Sequence, residues 1–116
     1  MNGLPSEVER ARAAKDGYHE FLRTSSMSLG VYVLAAGAVD GQSPHGEDEI
    51  YYVVEGRGRF RNGPSEASVG PGDVLFVPAH QPHRFHSILE ELVLLVVFAP
   101  PEGSGRSGPG GGAAPP

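Results

Sequence analysis

Glycine and proline interrupt this sequence so often that a fold built from long helices is excluded. The chain has seventeen Gly and eleven Pro among its 116 residues. Because these residues end helices and form turns, the hydrophobic runs between them must be short. Several of those runs are rich in the β-branched and aromatic residues that favour strands. The sequence therefore predicts an all-β fold, a sandwich or barrel of about eight short strands.

Six of the expected strands can be placed from the positions of the turn residues. Asn62-Gly63 predicts a hairpin turn, and residues 70–73 (Gly-Pro-Gly-Asp) predict a second turn. The last segment is nearly all apolar, which indicates a strand buried on both faces. In chain order, the six segments are 29–36, 49–55, 59–61, 74–77, 83–87 and 92–99.

The two ends of the chain differ from this β-rich middle. Residues 7–15 are rich in helix formers, Ser6 and Glu9 match a capping box, and Gly17 can end the helix. The last residues are mainly Gly, Pro, Ser and Ala, a composition typical of disordered tails. We therefore expect three parts: a helical segment over residues 1–17, one β-barrel domain over 18–100 and a disordered tail over 101–116.

Charge and cysteine content argue against several kinds of function. The net charge is −5 and the basic residues do not cluster, so a nucleic-acid partner is not expected. The chain has no cysteine, which excludes disulfides, thiolate metal sites and a cysteine nucleophile. No apolar run is long enough to span a membrane, and residues 1–20 do not resemble a signal peptide. A cytoplasmic protein is the expectation.

A cluster of histidine and acidic residues is the main candidate for chemistry. His45 and Glu49 are four residues apart, so in a strand their side chains point to the same face. His83 opens a later strand. Two imidazoles and one carboxylate form the ligand set of many non-haem Fe(II) sites, and the set also suits Mn, Zn, Ni or Co. The alternative is a solvated acidic loop with surface histidines.

The alternation of side chains along the strands separates further candidates. If Glu49 faces the interior, Tyr51 does too, while Ile50, Tyr52 and Val54 form an apolar outer face. An uncovered apolar face of this kind predicts a homodimer. Tyr51 is then a candidate for orienting a substrate, although an aromatic residue inside a barrel is more often part of the core.

The remaining histidines have weaker claims to a role. If His83 faces inward, His86 faces outward and is a surface or interface residue rather than a ligand. His80 lies in a predicted turn at the mouth of the site, where it is a candidate proton carrier or a plain turn residue. His19 matches no motif and is interpreted as structural.

The spacing of these residues resembles the two motifs of the cupin superfamily. The first motif is G-x5-H-x-H-x3,4-E-x6-G, and Gly37, Ser43, His45, Glu49 and Gly56 stand at its fixed positions. The string Glu-Ile-Tyr-Tyr-Val-Val-Glu-Gly (49–56) is very close to the usual wording of the family.

The second motif, G-x5-P-x-G-x2-H-x3-N, is matched in part. Gly72, Pro78 and His83 fit it, whereas His80 replaces its glycine and Ser87 its asparagine. The two motifs and the strands around them cover residues 27–99.

The resemblance implies a fold and a metal site. The implied fold is a small double-stranded β-helix, the cupin or jelly-roll barrel, with a short N-terminal helix. The family binds metal through three histidines and one glutamate, which here become His45, Glu49 and His83, since Ser43 replaces the first histidine. Glu47 is a possible substitute ligand, in competition with Glu49 for the inner face.

Three functions are compatible with this resemblance. The first is a metal-dependent enzyme acting on a small polar organic molecule, of the oxygenase, isomerase or lyase type, with one divalent ion (Fe, Mn, Zn, Ni or Co). The second is a barrel that binds or senses a small molecule without turnover. The third is a structural dimer with a vestigial site, which the serine at position 43 suggests. Fold alone does not select a reaction.

Overall fold

The computed structural model describes residues 3–41 and 43–104, and in this part of the chain one helix precedes six strands. The strands pair antiparallel in a single sheet of order β1-β2-β6-β3-β4, with β5 paired to the first half of β3. The elements are α1 (Leu4–Ala13), β1 (Tyr18–Arg23), β2 (Ser28–Leu34), β3 (Asp48–Asn62), β4 (Ser65–Val69), β5 (Val74–Val77) and β6 (His83–Ala99). The expected all-β fold with one short helix is confirmed.

The expectation of about eight short strands is wrong for the described residues, because two strands continue through predicted breaks. Strand β3 runs through Gly56 without ending, and its pairing with β6 shifts register between Val53 and Arg59. Gly56 has φ +94°, and a Cβ there would lie 2.1 Å from the carbonyl oxygen of Glu91. Such irregularities bend a strand without interrupting its pairing. The segments 49–55 and 59–61 therefore belong to one strand, and likewise 83–87 and 92–99.

The predicted hairpin turn lies one residue further along the chain. Asn62 pairs with Ser65, so the two loop residues are Gly63 and Pro64 rather than Asn62 and Gly63. The Asn62 side chain donates to the carbonyl of Phe76, which ties this hairpin to β5.

The helix begins earlier than expected and has no capping box. Gly3 is the N-cap residue, no side chain caps the helix, and Pro5 occupies its first turn. Proline fits there because its missing N–H has no partner in a helix start. Val8 and Ala11 are buried against Val31 and Val93, so the helix covers part of the outer face of β2 and β6.

The inner face of the sheet carries the main core and follows the predicted alternation. Along β3, Glu49, Tyr51 and Val53 are buried, whereas Ile50 and Tyr52 are exposed. Along β6, residues 83 and 85 are buried, residue 84 is exposed and residue 86 is half-buried. Glu49 and His83 therefore lie on the same interior side as the aromatic core.

Residues just past the expected end of the barrel domain at residue 100 contact the barrel, while the domain boundaries themselves stay a prediction. Pro101 and Glu102 are buried, and the backbone N–H of Glu102 donates to Oγ of Ser28 at 2.9 Å. Residues 100–104, called the C-terminal segment below, therefore contact the barrel. Residues 105–116 lie outside the described residues, so the rest of the tail prediction stays a prediction. Among the described residues, no helix has the length and apolarity required to cross a membrane.

Candidate metal centre

Two turns at one end of the barrel bring the candidate ligands together. His45 lies in the loop just before β3, Glu49 is the second residue of β3, and His83 is the first residue of β6. The turn that leads to His83 is bonded to the loop of His45, since the backbone N–H of His80 donates to the carbonyl of His45 at 2.5 Å. The backbone N–H of Ala79 likewise donates to the carboxylate of Asp48.

The three side chains converge inside the barrel. One ligand atom from each of His45, Glu49 and His83 lies within 4.8 Å of the others. Nε2 of His83 is 3.0 Å from Oε1 of Glu49, and the two imidazole ring centres are 6.0 Å apart. Metal bonds of about 2.0–2.2 Å bring neighbouring ligand atoms to roughly 3 Å. His83 and Glu49 already have this spacing, so the group could hold a metal ion; its role as ligand stays a prediction.

A hydrogen bond orients the ring of His83 so that Nε2 is directed toward Glu49. Nδ1 of His83 lies 2.9 Å from the carbonyl oxygen of Gln81. A carbonyl oxygen only accepts, so Nδ1 donates its proton there, and in the neutral ring the lone pair of Nε2 would be available to a metal ion. Histidine ligands of metal ions are commonly held by this kind of bond through the second ring nitrogen.

The environment of Glu49 fits a bound cation. Its side chain is 1% exposed, Nε2 of His83 lies 3.0 Å from Oε1, and the hydroxyl of Tyr51 is a second polar neighbour. Burial raises the pKa of Glu49 above its usual range, and the neighbouring His83 and Tyr51 oppose that shift. A buried carboxylate is costly in free energy unless hydrogen bonds, a proton or a cation compensate its charge. A divalent ion between Glu49 and the imidazoles would do so.

Ser43, which replaces the first histidine of the motif, and Glu47, the possible substitute ligand, both lie outside this group. Ser43 is exposed in the loop before His45. Glu47 is 2% exposed, and its Oε1 accepts a hydrogen bond from the backbone N–H of Gly103 at 3.2 Å. Within the described part of the chain, the group that can share an ion contains neither residue.

The other histidines lie away from this group. His86 is half-buried and contacts Glu66 across the sheet and Oγ of Ser87 at 3.0 Å. His80 is exposed in its turn, with φ +69°. Nε2 of His19 is 3.6 Å from a carboxylate oxygen of Glu7 on the helix, consistent with a structural role. The outward position predicted for His86 is confirmed, and the role of His80 stays a prediction.

Tyr51 is part of the core beside the candidate ligands. It is fully buried and packs edge-on against Phe85, with ring centres 4.9 Å apart. Its ring centre is 6.0 Å from that of His83. Burial, followed by the charge of Glu49, raises its pKa well above the ordinary value, so the hydroxyl keeps its proton. Its proposed role in orienting a substrate stays a prediction.

Two side chains with a buried polar atom, Tyr18 and Glu102, lie outside the sequence motifs. Tyr18 belongs to β1, and Glu102 belongs to the C-terminal segment. Neither had a signal in the sequence, because Tyr18 lies in a short mixed strand and Glu102 stands alone in a Gly- and Pro-rich stretch. Glu102 comes near Glu49 only because that stretch folds onto the barrel. Burial is the main cause that raises the pKa of Glu102, and the charge of Glu49 is the next.

Comparisons with known proteins give consistent relatives. Residues 30–98 match the family model described as a cupin domain. An uncharacterised protein of Streptomyces coelicolor is 50% identical over 97 residues, which is 83% of this chain and 92% of that protein.

Solved structures also match. The crystal structure of TT1209 from Thermus thermophilus has a TM-score of 0.70 and 28% identity, over 87% of this chain and 97% of that chain. The DMSP lyase DddQ from Ruegeria pomeroyi has a TM-score of 0.61 and 27% identity, over 66% of this chain and 39% of that chain.

Proposed function

Since the chain belongs to the cupin family, we propose that its barrel binds one divalent metal ion and acts as a metal-dependent enzyme on a small polar organic molecule. His45, Glu49 and His83 would hold the ion. The observation that carries the proposal is the convergence of three buried side chains, in which one ligand atom from each of His45, Glu49 and His83 lies within 4.8 Å of the others and Nε2 of His83 is 3.0 Å from Oε1 of Glu49.

The residues around the centre define what this chain itself would contribute. Gln81 holds the His83 ring through Nδ1, which keeps Nε2 available as a ligand atom. The ring of His45 packs edge-on against Phe98 at 5.1 Å between centres, which limits its rotation. The buried rings of Tyr51, Phe60 and Phe98 lie against the two histidines and keep water from the inner side of the centre. The bound ion would polarise an oxygen atom of the molecule and hold it in position.

The type of reaction is proposed only as a group of possibilities. Two imidazoles and one carboxylate suit Fe, Mn, Zn, Ni or Co and leave coordination positions open for a substrate. DddQ is a lyase and is 27% identical over the matched part, which supports including lyases beside oxygenases and isomerases. The match spans 39% of DddQ, so its own substrate is not transferred to this chain.

The metal content of the untagged protein tests the proposal. We expect about one ion per chain by elemental analysis, and at least a tenfold weaker metal affinity in His45→Ala and His83→Ala, because each removes one ligand. His86→Ala is the matched control, since it removes an imidazole outside the group, and it should leave the metal content unchanged. Equal metal content in all four proteins would contradict the assignment of the ligands.

A second candidate function is a barrel that binds or senses a small molecule without turnover. The serine at position 43, where the family motif has a histidine, favours this alternative because it leaves one ligand fewer. Turnover assays over a panel of small organic acids separate the two functions if metal is present. A protein that binds no metal would instead support the third possibility, a structural dimer with a vestigial site.

A further inference from the structure

The C-terminal segment carries Glu102 back to the interior side of the barrel. The backbone N–H of Glu102 donates to Oγ of Ser28, and its carbonyl accepts from Nη2 of Arg23, both at 2.9 Å. Ser28 is paired with Phe98 across the sheet, and Phe98 is paired with Glu49. Glu102 is therefore anchored two strands away from Glu49.

One carboxyl oxygen of Glu102, Oε2, is buried and has no hydrogen-bond partner among the described residues. The residue as a whole is 8% exposed. The buried hydroxyl of Tyr18 also has no hydrogen-bond partner in the same part of the chain. The ring of Tyr18 lies over Gly30, since a Cβ there would be 2.4 Å from the hydroxyl oxygen of Tyr18. Gly30 is two residues from Ser28, which holds Glu102, on the same buried face of β2. In agreement with this placement, burial followed by the charge of Glu102 raises the pKa of Tyr18.

A third polar group could satisfy both of these buried atoms, which have no hydrogen-bond partner among the described residues. Tyr18 can donate one hydrogen bond, and the carboxyl of Glu102 can accept one. A hydroxyl group is suited to this position because it accepts and donates at the same time. An anionic group is disfavoured there, because the surroundings already disfavour negative charge. Burial, followed by the charges of Glu49, Glu20 and Glu47, raises the pKa of Glu102 to about 8.

We propose that Tyr18 and Glu102 form a hydroxyl-binding pair that orients a small hydroxylated carboxylic acid at the metal centre. This inference rests on the proposed function, because the metal ion would bind the carboxylate end of the acid. Two neutral imidazoles, one carboxylate and a divalent ion leave a net charge of +1 at the centre, which favours an anionic oxygen ligand. The hydroxyl at the other end of the acid then lies between Tyr18 and Glu102.

Three small acids of the same carbon skeleton test the pair. Lactate, glycerate and isoserine carry a hydrogen, a hydroxyl and an ammonium group, respectively, on their third carbon. Calorimetric titration of the Zn²⁺-loaded protein should give about tenfold tighter binding of glycerate than of lactate, the effect of one good hydrogen-bonded group. Equal affinities would overturn the proposal, and tighter binding of isoserine would replace it by an ammonium site.

Variants assign the effect to the two side chains. Tyr18→Phe and Glu102→Ala should bring the affinities for glycerate and lactate within about twofold of each other, with unchanged affinity for lactate and for zinc. Glu102→Gln keeps a polar group in place and should retain most of the preference for glycerate. Glu90→Gln is the control, since it changes a carboxyl that is 65% exposed and outside the pair, and it should leave the preference unchanged.

The outcomes separate this inference from the function on which it rests. Zinc binding is measured first, and a wild-type protein that binds no zinc would overturn both proposals. Zinc binding with unchanged glycerate preference in Tyr18→Phe and Glu102→Ala would overturn the hydroxyl-binding pair alone. Melting temperatures of all variants show that they are folded, and Tyr18→Phe, which removes a single oxygen atom, remains informative if Glu102→Ala does not fold.

Discussion

A buried carboxylate needs a proton, a hydrogen bond or a cation, and among the buried carboxyl groups Glu49 and Glu102 have clearly different surroundings. Glu49 has an imidazole nitrogen 3.0 Å away and a second imidazole in the same group. Glu102 has no histidine among the groups that shift its pKa, which are carboxylates. The first environment favours a cation and the second favours a retained proton. Residues of one type are thereby given different chemistry by their neighbours.

The retained proton of Glu102 predicts a dependence of stability on pH in the metal-free protein. Burial, followed by Glu49, Glu20 and Glu47, raises its pKa from 4.5 to about 8 in the folded chain. Between these values the unfolded chain has lost the proton and the folded chain still holds it. This group therefore lowers the free energy of unfolding as pH rises from about 4.5 to about 8.

Glu102→Gln isolates this contribution, because glutamine cannot ionise. Urea denaturation between pH 5 and pH 8.5 should show the variant gaining stability relative to wild type as pH rises. Glu90→Gln changes an exposed carboxyl, 65% exposed, and should give a constant difference over the same range. A constant difference for Glu102→Gln as well would contradict the retained proton.

At the scale of single elements, the alternation along β3 was readable from the sequence and the length of β3 was not. Placing Glu49 inward fixed the inward direction of Tyr51 and Val53, since side chains alternate strictly in a strand. Gly56 looked like a strand end because glycine usually marks a turn. Whether pairing continues past it depends on β6, which lies about 35 residues further along the chain.

The candidate ligands could be predicted from the spacing of residues along the chain, whereas the residues that surround them could not. His45, Glu49 and His83 are spaced by motifs that can be read along the chain. The contacts of Glu102 depend on how a stretch of low-complexity composition packs against β2, which composition cannot show. Short-range patterns therefore predicted the centre, whereas long-range packing added the residues beside it.

The C-terminal segment should contribute measurably to stability. A chain ending at Ser104 retains the hydrogen bonds of Glu102 and Gly103, whereas a chain ending at Pro100 loses them. A net contribution of about 1 kcal/mol for each of these three hydrogen bonds corresponds to a lower melting temperature of the shorter chain, by about 12–24 °C. Thermal unfolding at pH 5, followed by circular dichroism, measures the difference.

The longer truncated chain is the reference for this comparison. Removal of residues 105–116 is expected to leave the melting temperature within a few degrees of the full chain, because that stretch has almost no large apolar side chains. Equal melting temperatures for the chains ending at 100 and at 104 would show that the segment adds nothing.

At the scale of the whole molecule, one part of the outer face is apolar and uncovered. Ile50 lies opposite Phe76, and Tyr52 lies opposite Val74, on the paired strands β3 and β5. These four side chains are between 40% and 66% exposed. Val54, which was expected to belong to this face, is half-buried and packs with the cluster under the helix. The helix therefore covers one part of the outer face and leaves the β3–β5 part open.

We propose that a second copy of the chain covers this face, which predicts a homodimer. Contiguous exposed apolar side chains on a small domain usually mark an interface, because removing apolar surface from water is favourable. The chain has a mass of 12.2 kDa, so sedimentation should show a particle of about 24 kDa, twice that value. Phe76→Asp places a charge in the middle of the face and should shift the particle toward 12 kDa. Leu89→Asp is the control, since Leu89 is 76% exposed and lies away from β5, and it should leave the dimer intact. A wild-type protein that sediments as a 12 kDa monomer at micromolar concentration would show that the apolar face has another occupant or none.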